Sequence, residues 1–155
     1  MNIGIVVFSL TGNTLHVGKH IKESLDKKGH QVALERILVN PEAKPGAKEF
    51  KIINAPEVKD YDLLIIGSPV HAFSLSLPMA SYLSTLENVE GKKVACYVTK
   101  HLPYFWTGGK RALKQMREAC EKKGAQAYAQ GIIPWNSKDR EQNIEKLIQE
   151  IAAVL

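Results

Sequence analysis

Cysteine is scarce in this chain. There are two in 155 residues, Cys96 and Cys120, and no Cys-x-x-Cys spacing. A disulfide framework is thereby excluded, and the pair reads as small buried hydrophobes in a reducing compartment. Long hydrophobic runs are also missing. No stretch approaches the roughly 18 apolar residues that would span a membrane. The opening Met1-Asn2-Ile3-Gly4-Ile5-Val6-Val7-Phe8 has no basic leader, and its apolar run is too short for a signal peptide. A cytoplasmic location without membrane association is expected. Nucleotide motifs fail too. There is no Gly-x-Gly-x-x-Gly, and Thr107-Gly108-Gly109-Lys110-Arg111 lacks the earlier glycine and the final Ser/Thr of a P-loop. Repeats and low-complexity tracts are absent.

What is present suits one globular domain over residues 1–155. Hydrophobic residues make up 45% and charged residues 24%, and such a length buries a core without staples. The net charge is +5, but the basic residues come in scattered pairs such as Lys27-Lys28, Lys92-Lys93 and Lys122-Lys123. No helix carries a basic stripe, so nucleic acid is not an expected partner.

Hydrophobic runs alternate with helical patterns. The first strand is Asn2 to Phe8, a near-continuous β-branched run suited to a buried parallel strand. A helix follows over Asn13 to Lys28, with Val17, Ile21 and Leu25 on one face and Gly29 as its stop. Gln31 to Leu38 is the second strand. Val39 to Lys59, punctuated by Pro41, Pro45, Gly46 and Pro56, reads as a long connection, with a short helix possible after Asn54. Tyr61 to Gly67 is the third strand, Leu77 to Leu86 a helix, Lys93 to Thr99 the fourth strand and Gly109 to Lys123 a helix. Ala125 to Ile133 is the fifth strand. Ser137 to Leu155 is the clearest helix, with Ile144, Leu147, Ile148, Ile151 and Leu155 in period. Strands separated by helices predict right-handed crossovers and an α/β sheet covered on both faces. Ligands then bind beyond the carboxyl ends of the strands, where the strand order reverses.

The loop after the first strand is Ser9-Leu10-Thr11-Gly12-Asn13-Thr14. It offers hydroxyls, an amide, a glycine that lets the backbone approach a ligand, and the free N–H groups of a helix start. This is a phosphate cradle that needs no Lys or Arg, and Thr11 and Thr14 are expected to donate their hydroxyls. The loop after the third strand is Ser68-Pro69-Val70-His71-Ala72-Phe73-Ser74. Ser68 with His71 does not make a hydrolase pair, because the nucleophile-elbow pattern and a carboxylate are missing. The loop after the fourth strand is Thr99-Lys100-His101-Leu102-Pro103-Tyr104-Phe105-Trp106-Thr107-Gly108-Gly109. Three consecutive aromatics in a loop suit a flat ligand or fold back on the sheet. Trp135 sits at the same end and is expected to pack under the last helix.

Ser9-Leu10-Thr11-Gly12-Asn13-Thr14 resembles the phosphate-loop signature of the flavodoxin family. The resemblance continues through Tyr61-Asp62-Leu63-Leu64-Ile65-Ile66-Gly67-Ser68-Pro69 and Thr99 to Gly109. It implies a three-layer sandwich with a five-stranded parallel sheet in the order 2-1-3-4-5. It also implies bound flavin mononucleotide (FMN), with an uninterrupted fifth strand of the short-chain type. The second loop, with His71 or Phe73, would then flank the flavin ring. The third loop, with Thr99, Lys100, His101, Tyr104, Phe105, Trp106, Gly108 and Gly109, would enclose its other side. No protein nucleophile and no metal are expected, since the flavin carries the chemistry.

One departure is clear. Flavodoxins that serve as electron carriers usually have an acidic rim, whereas residues 3–22, 63–86 and 92–117 contain no Asp or Glu. Lys100, Lys110 and Arg111 are expected as exposed rim cations. The reading is an electron carrier between redox enzymes, with partners that have acidic docking faces. The alternative is an FMN-dependent NAD(P)H reductase of quinones or similar acceptors.

Overall fold

The β-branched runs form one parallel sheet, and the helical patterns cover both of its faces. The computed structural model describes residues 1–101 and 107–155. In chain order the elements are β1 (Asn2–Val7), α1 (Asn13–Lys27), β2 (Gln31–Arg36), β3 (Leu38–Asn40), β4 (Lys51–Asn54) and β5 (Leu63–His71). They continue with β6 (Ser74–Leu75), α2 (Leu77–Thr85), β7 (Lys93–Lys100), α3 (Gly109–Glu121), β8 (Gln126–Pro134) and α4 (Arg140–Ala152). The sheet order is β2-β1-β5-β7-β8, all parallel, which is the expected 2-1-3-4-5 order. The short β6 pairs antiparallel with the end of β5.

Strand alternation sorts the core into two clusters. Ile3, Ile5, Val7, Leu63 and Ile65 face α1 and α4, whose Val17, Ile21, Ile144 and Leu147 meet them. Val6, Phe8, Leu64, Ile66 and Val98 face α2 and α3, against Met79, Leu83, Ala112 and Met116. Each fully buried Ile or Leu contributes roughly 1.5–3 kcal/mol, so these two seams fix how the strand ends are arrayed.

Three expectations are corrected. The long connection of residues 39–59 holds no helix after Asn54. It contains an antiparallel pair, β3 with β4. That pair and its flanks place Ile37, Ala43 and Val58 on the α2–α3 side of the core. Apolar residues spaced along extended chain fill the layer without helical periodicity. The third strand of the sheet does not end at Gly67 but runs to His71, and its continuation folds back as a hairpin. The fifth strand runs without interruption over Gln126–Pro134, with one bulge where Val94 pairs with Ala127 and Ala95 with Ala129, leaving Tyr128 extra. The last helix starts at Arg140 rather than Ser137. Ser137 Oγ instead accepts the Asp139 N–H at 3.1 Å in a turn before it. Among the described residues no helix is long and apolar enough to cross a membrane.

Candidate functional site

The strand order reverses at β1, which has β2 on one side and β5 on the other. In parallel sheets a crevice opens beyond the carboxyl ends at such a point. The segments after β1, β5 and β7 converge there, and a small set of buried contacts ties them together.

The β1–α1 segment turns at Gly12, whose φ of 95° and ψ of −8° lie in the left-handed region. Helix α1 starts with no side-chain cap on Gly12 and no acid in its first turn. Ser9 is buried, and its Oγ accepts the Leu15 N–H at 3.2 Å. The N–H groups of Thr11, Gly12, Asn13 and Thr14 have no acceptor among the described residues. Thr11 is exposed and Asn13 half-buried. Thr14 is different: it is buried, and its hydroxyl shares a 2.7 Å hydrogen bond with that of Thr99. The Thr14 hydroxyl thus ties the first segment to the third. Beneath it, the buried Tyr97 hydroxyl donates to the Thr14 carbonyl at 2.7 Å. Its ring occupies the space that a side chain at Gly67 would fill, 2.2 Å from a Cβ placed there.

The second segment is a tight hairpin rather than a loop. His71 pairs with Ser74, and the two residues between them, Ala72 and Phe73, have φ of 49° and 60°. Turns of this type are ordinarily filled by Asn-Gly, since left-handed backbone costs an L-residue roughly 1–2 kcal/mol. The surroundings hold the turn. Gln115 Oε1 on α3 accepts the Ser74 hydroxyl at 2.8 Å and the Leu75 N–H at 2.9 Å. Ser68 and Ser76 hydroxyls are hydrogen-bonded at 2.7 Å, both buried. Pro69 and Val70 are half-buried along the strand. His71 is buried and packs edge-on against Phe8, with centroids 6.1 Å apart. Burial lowers its pKa, because a charged ring would lose its hydration there. Phe73, 57% exposed, stands at the hairpin tip.

The third segment is described at its two ends; Tyr104, Phe105 and Trp106 lie outside the described residues. Thr99 and Thr107 are buried, His101 exposed, and Gly109 opens α3 behind the N-cap Gly108. Gly108 has φ of 95°, and a Cβ there would lie 2.4 Å from the Phe73 backbone, so this corner abuts the hairpin. Lys110 and Arg111 are exposed as expected. Lys100 is not. It is 8% exposed, and its Nζ donates to Thr107 Oγ1 at 2.9 Å. The expectation of an exposed rim lysine overlooked its register, which places it at the last position of β7 on the side facing α3.

Two participants escaped sequence reasoning. Arg36 ends β2 and donates from its guanidinium to the Ser9 carbonyl at 3.2 Å, adding a cation beside the first segment. Only the sheet order, which sets β2 beside β1, could have indicated it. Gln115 is hidden in a helix with no local signal. Trp135 is half-buried, as the packing expectation had it. Its ring meets His16 edge-on at 5.5 Å, and the Arg140 guanidinium lies 4.5 Å from its centroid. Burial and neighbouring His20 lower the His16 pKa.

The donor set of the first segment suits a phosphate: backbone N–H groups at a helix start, an exposed hydroxyl, and open space over Gly12, where a Cβ would meet nothing within 4 Å. Comparison with known proteins agrees on the architecture. The chain superposes on flavodoxin 2 of Bacillus cereus over the full length of both, with a TM-score of 0.74 and 22% identity. It covers 98% of itself and 96% of a flavodoxin from the domain Archaea, at a TM-score of 0.71 and 18% identity. A Lactobacillus acidophilus flavoprotein in complex with FMN matches 94% of this chain and 97% of its own at 0.65 and 18%. The fold is therefore flavodoxin-like. In sequence, an NAD(P)H dehydrogenase (quinone) of Archaeoglobus fulgidus is 26% identical over 70% of this chain, and the match spans 64% of that relative, less than two thirds of its length. No protein-family model matches the chain.

Proposed function

We propose that the chain is an FMN-binding flavodoxin-like protein that carries electrons between redox enzymes. The supporting observation is the β1–α1 corner, with four N–H groups, from Thr11 to Thr14, lacking an acceptor among the described residues. They lie at the reversal point of a flavodoxin-like sheet. In this reading Ser9 and Leu10 set the turn, and the Thr11 hydroxyl and the N–H groups of Gly12, Asn13 and Thr14 hold the FMN phosphate. Bound FMN supplies one- and two-electron transfer. The Ser68–Phe73 hairpin lies along the ring, with Phe73 as its aromatic and His71 as packing below. Thr99 to His101 and Thr107 to Gly109 flank the other side. The surrounding cations Arg36, Lys110 and Arg111 suit partners with acidic docking faces, and a cytoplasmic location belongs to the same proposal.

Fluorescence-quench titration with FMN and with riboflavin tests the site. FMN should bind far more tightly, because only it fills the phosphate corner; equal affinity would overturn the assignment. A second reading, an NAD(P)H-dependent quinone reductase, is favoured by the Archaeoglobus relative and by the lack of Asp and Glu in the three segments themselves, since a nicotinamide dinucleotide is anionic. Steady-state oxidation of NAD(P)H with a quinone separates the two: turnover selects the reductase, and its absence the carrier.

A further inference from the structure

The β1–α1 segment holds no Lys or Arg of its own, but the sheet brings one to it. Strand β2 pairs parallel with β1, and its last residue, Arg36, stands opposite Val7. Paired residues of neighbouring strands share a face, and Val7 faces α1. Arg36 is therefore on the α1 side, beside the turn that leads into that helix. Its guanidinium donates to the Ser9 carbonyl at 3.2 Å. It thus stands at the start of the corner in which the N–H groups of Thr11 to Thr14 have no acceptor among the described residues.

The charge on Arg36 is not neutralised by the protein. The residue is exposed, and among the described residues no Asp or Glu forms an ion pair with it. Residues 3–22 contain no Asp or Glu. Its neighbour Glu35 points to the other face of the sheet, as successive strand residues do, and accepts the Tyr61 hydroxyl at 2.8 Å. A guanidinium carries a fork of N–H donors. One reaches Ser9, and the others have no acceptor among the described residues. A tie between β2 and the turn would need only a neutral donor such as a glutamine. The positive charge is more than that tie uses, and its place suits an anion. Donation to Ser9 offsets the negative end of that carbonyl dipole, and the remaining donors match phosphate oxygens.

We propose that Arg36 is a specificity residue of the phosphate corner, supplying the positive charge that selects a phosphorylated flavin over an unphosphorylated one. The inference rests on the FMN reading above. A phosphate monoester carries roughly two negative charges at neutral pH. The N–H groups and the Thr11 hydroxyl order its oxygens, and Arg36 adds a full opposite charge, which a hydroxyl or amide cannot. Because Arg36 is exposed, its share of the affinity falls as salt rises.

The test is fluorescence-quench titration of wild type, Arg36→Gln and Arg36→Lys with FMN and with riboflavin, at low and high salt. Arg36→Gln should bind FMN about tenfold more weakly at low salt, the low end for a hydrogen bond to a charged group at an exposed site. It should bind riboflavin as wild type does, and its FMN affinity should depend less steeply on salt. Arg36→Lys keeps the charge and should recover most of the FMN affinity. A tie that is only structural would weaken FMN and riboflavin alike, with the salt dependence unmoved. That outcome, or unchanged FMN affinity in Arg36→Gln, would overturn the proposal. Equal affinity of the wild type for FMN and riboflavin would instead overturn the phosphate reading on which it rests.

Discussion

Two corners of this molecule share one backbone. Gly12 before α1 and Gly108 before α3 both have φ of 95°, with ψ of −8° and 2°. Neither offers a side-chain cap, and neither helix has an acid in its first turn. Their surroundings differ. A Cβ at Gly12 would meet nothing within 4 Å, whereas one at Gly108 would strike the Phe73 backbone at 2.4 Å. The first corner is open and turns N–H groups outward. The second is a joint that locks the β5–β6 hairpin to α3. The same local geometry therefore leaves one corner open and makes a joint of the other, and the neighbours decide which.

The largest expected effect breaks that comparison by adding one methyl group to each corner. Gly12→Ala incurs only the left-handed backbone penalty, roughly 1–2 kcal/mol. Gly108→Ala incurs the same penalty plus an overpacking cost of roughly 1–3 kcal/mol, because backbone must move. Urea unfolding of the FMN-free protein should rank Gly108→Ala well below Gly12→Ala, and equal losses would mean that the joint yields freely.

Next in size is the contrast between two threonines of the open corner. Thr11→Val should leave unfolding nearly unchanged and weaken FMN by roughly 1.5–3 kcal/mol, the worth of a hydrogen bond to a charged group. Thr14→Val should instead lower stability by about 1–3 kcal/mol, because it orphans the buried Thr99 hydroxyl. The double variant with Thr99→Val should cost less than the sum of the two single changes, as a shared hydrogen bond requires. Additive losses would show that the two hydroxyls act separately.

A smaller gain is expected at the joint. Ala72 sits at φ 49°, so Ala72→Gly should raise stability by about 0.5–1 kcal/mol, the left-handed cost less the extra entropy of glycine. A loss on thermal or urea unfolding would mean that the Ala72 methyl packs usefully at the tip.

The smallest effect is set by pH. Burial depresses the pKa values of His71 and His16 in the folded state, so the unfolded chain binds more protons below the ordinary value of 6.5. Their contribution is fully present above pH 6.5 and declines as pH falls from there toward the folded-state values. His71→Gln should flatten that slope in urea titrations across mildly acidic pH, and an unchanged slope would show that burial of this ring does not set it.

Much of the fold was legible because period and burial coincide. Val17, Ile21 and Leu25 mark α1, and Leu63 to Ile66 mark β5, since one apolar face or run points to one core. The connection of residues 39–59 was not legible. Its apolar residues reach the core from extended chain, which leaves no helical or strict strand period to read. The first corner, with its glycine turn and open N–H groups, could be anticipated because Gly12 and the helix start are adjacent in sequence. The roles of Arg36 and Gln115 could not, because each acts on a segment distant along the chain.

The sequence by itself determined the strand and helix order, the glycine corners and the lack of acid in the three segments, since these depend on residue type and near neighbours. Tertiary structure alone decided that the Thr14 hydroxyl turns to Thr99, that Ala72 and Phe73 are held in left-handed backbone, and that Lys100 is buried rather than exposed. Each of these depends on what a sheet 85 residues away in sequence, or a facing helix, brings within contact distance, and no local pattern encodes that approach.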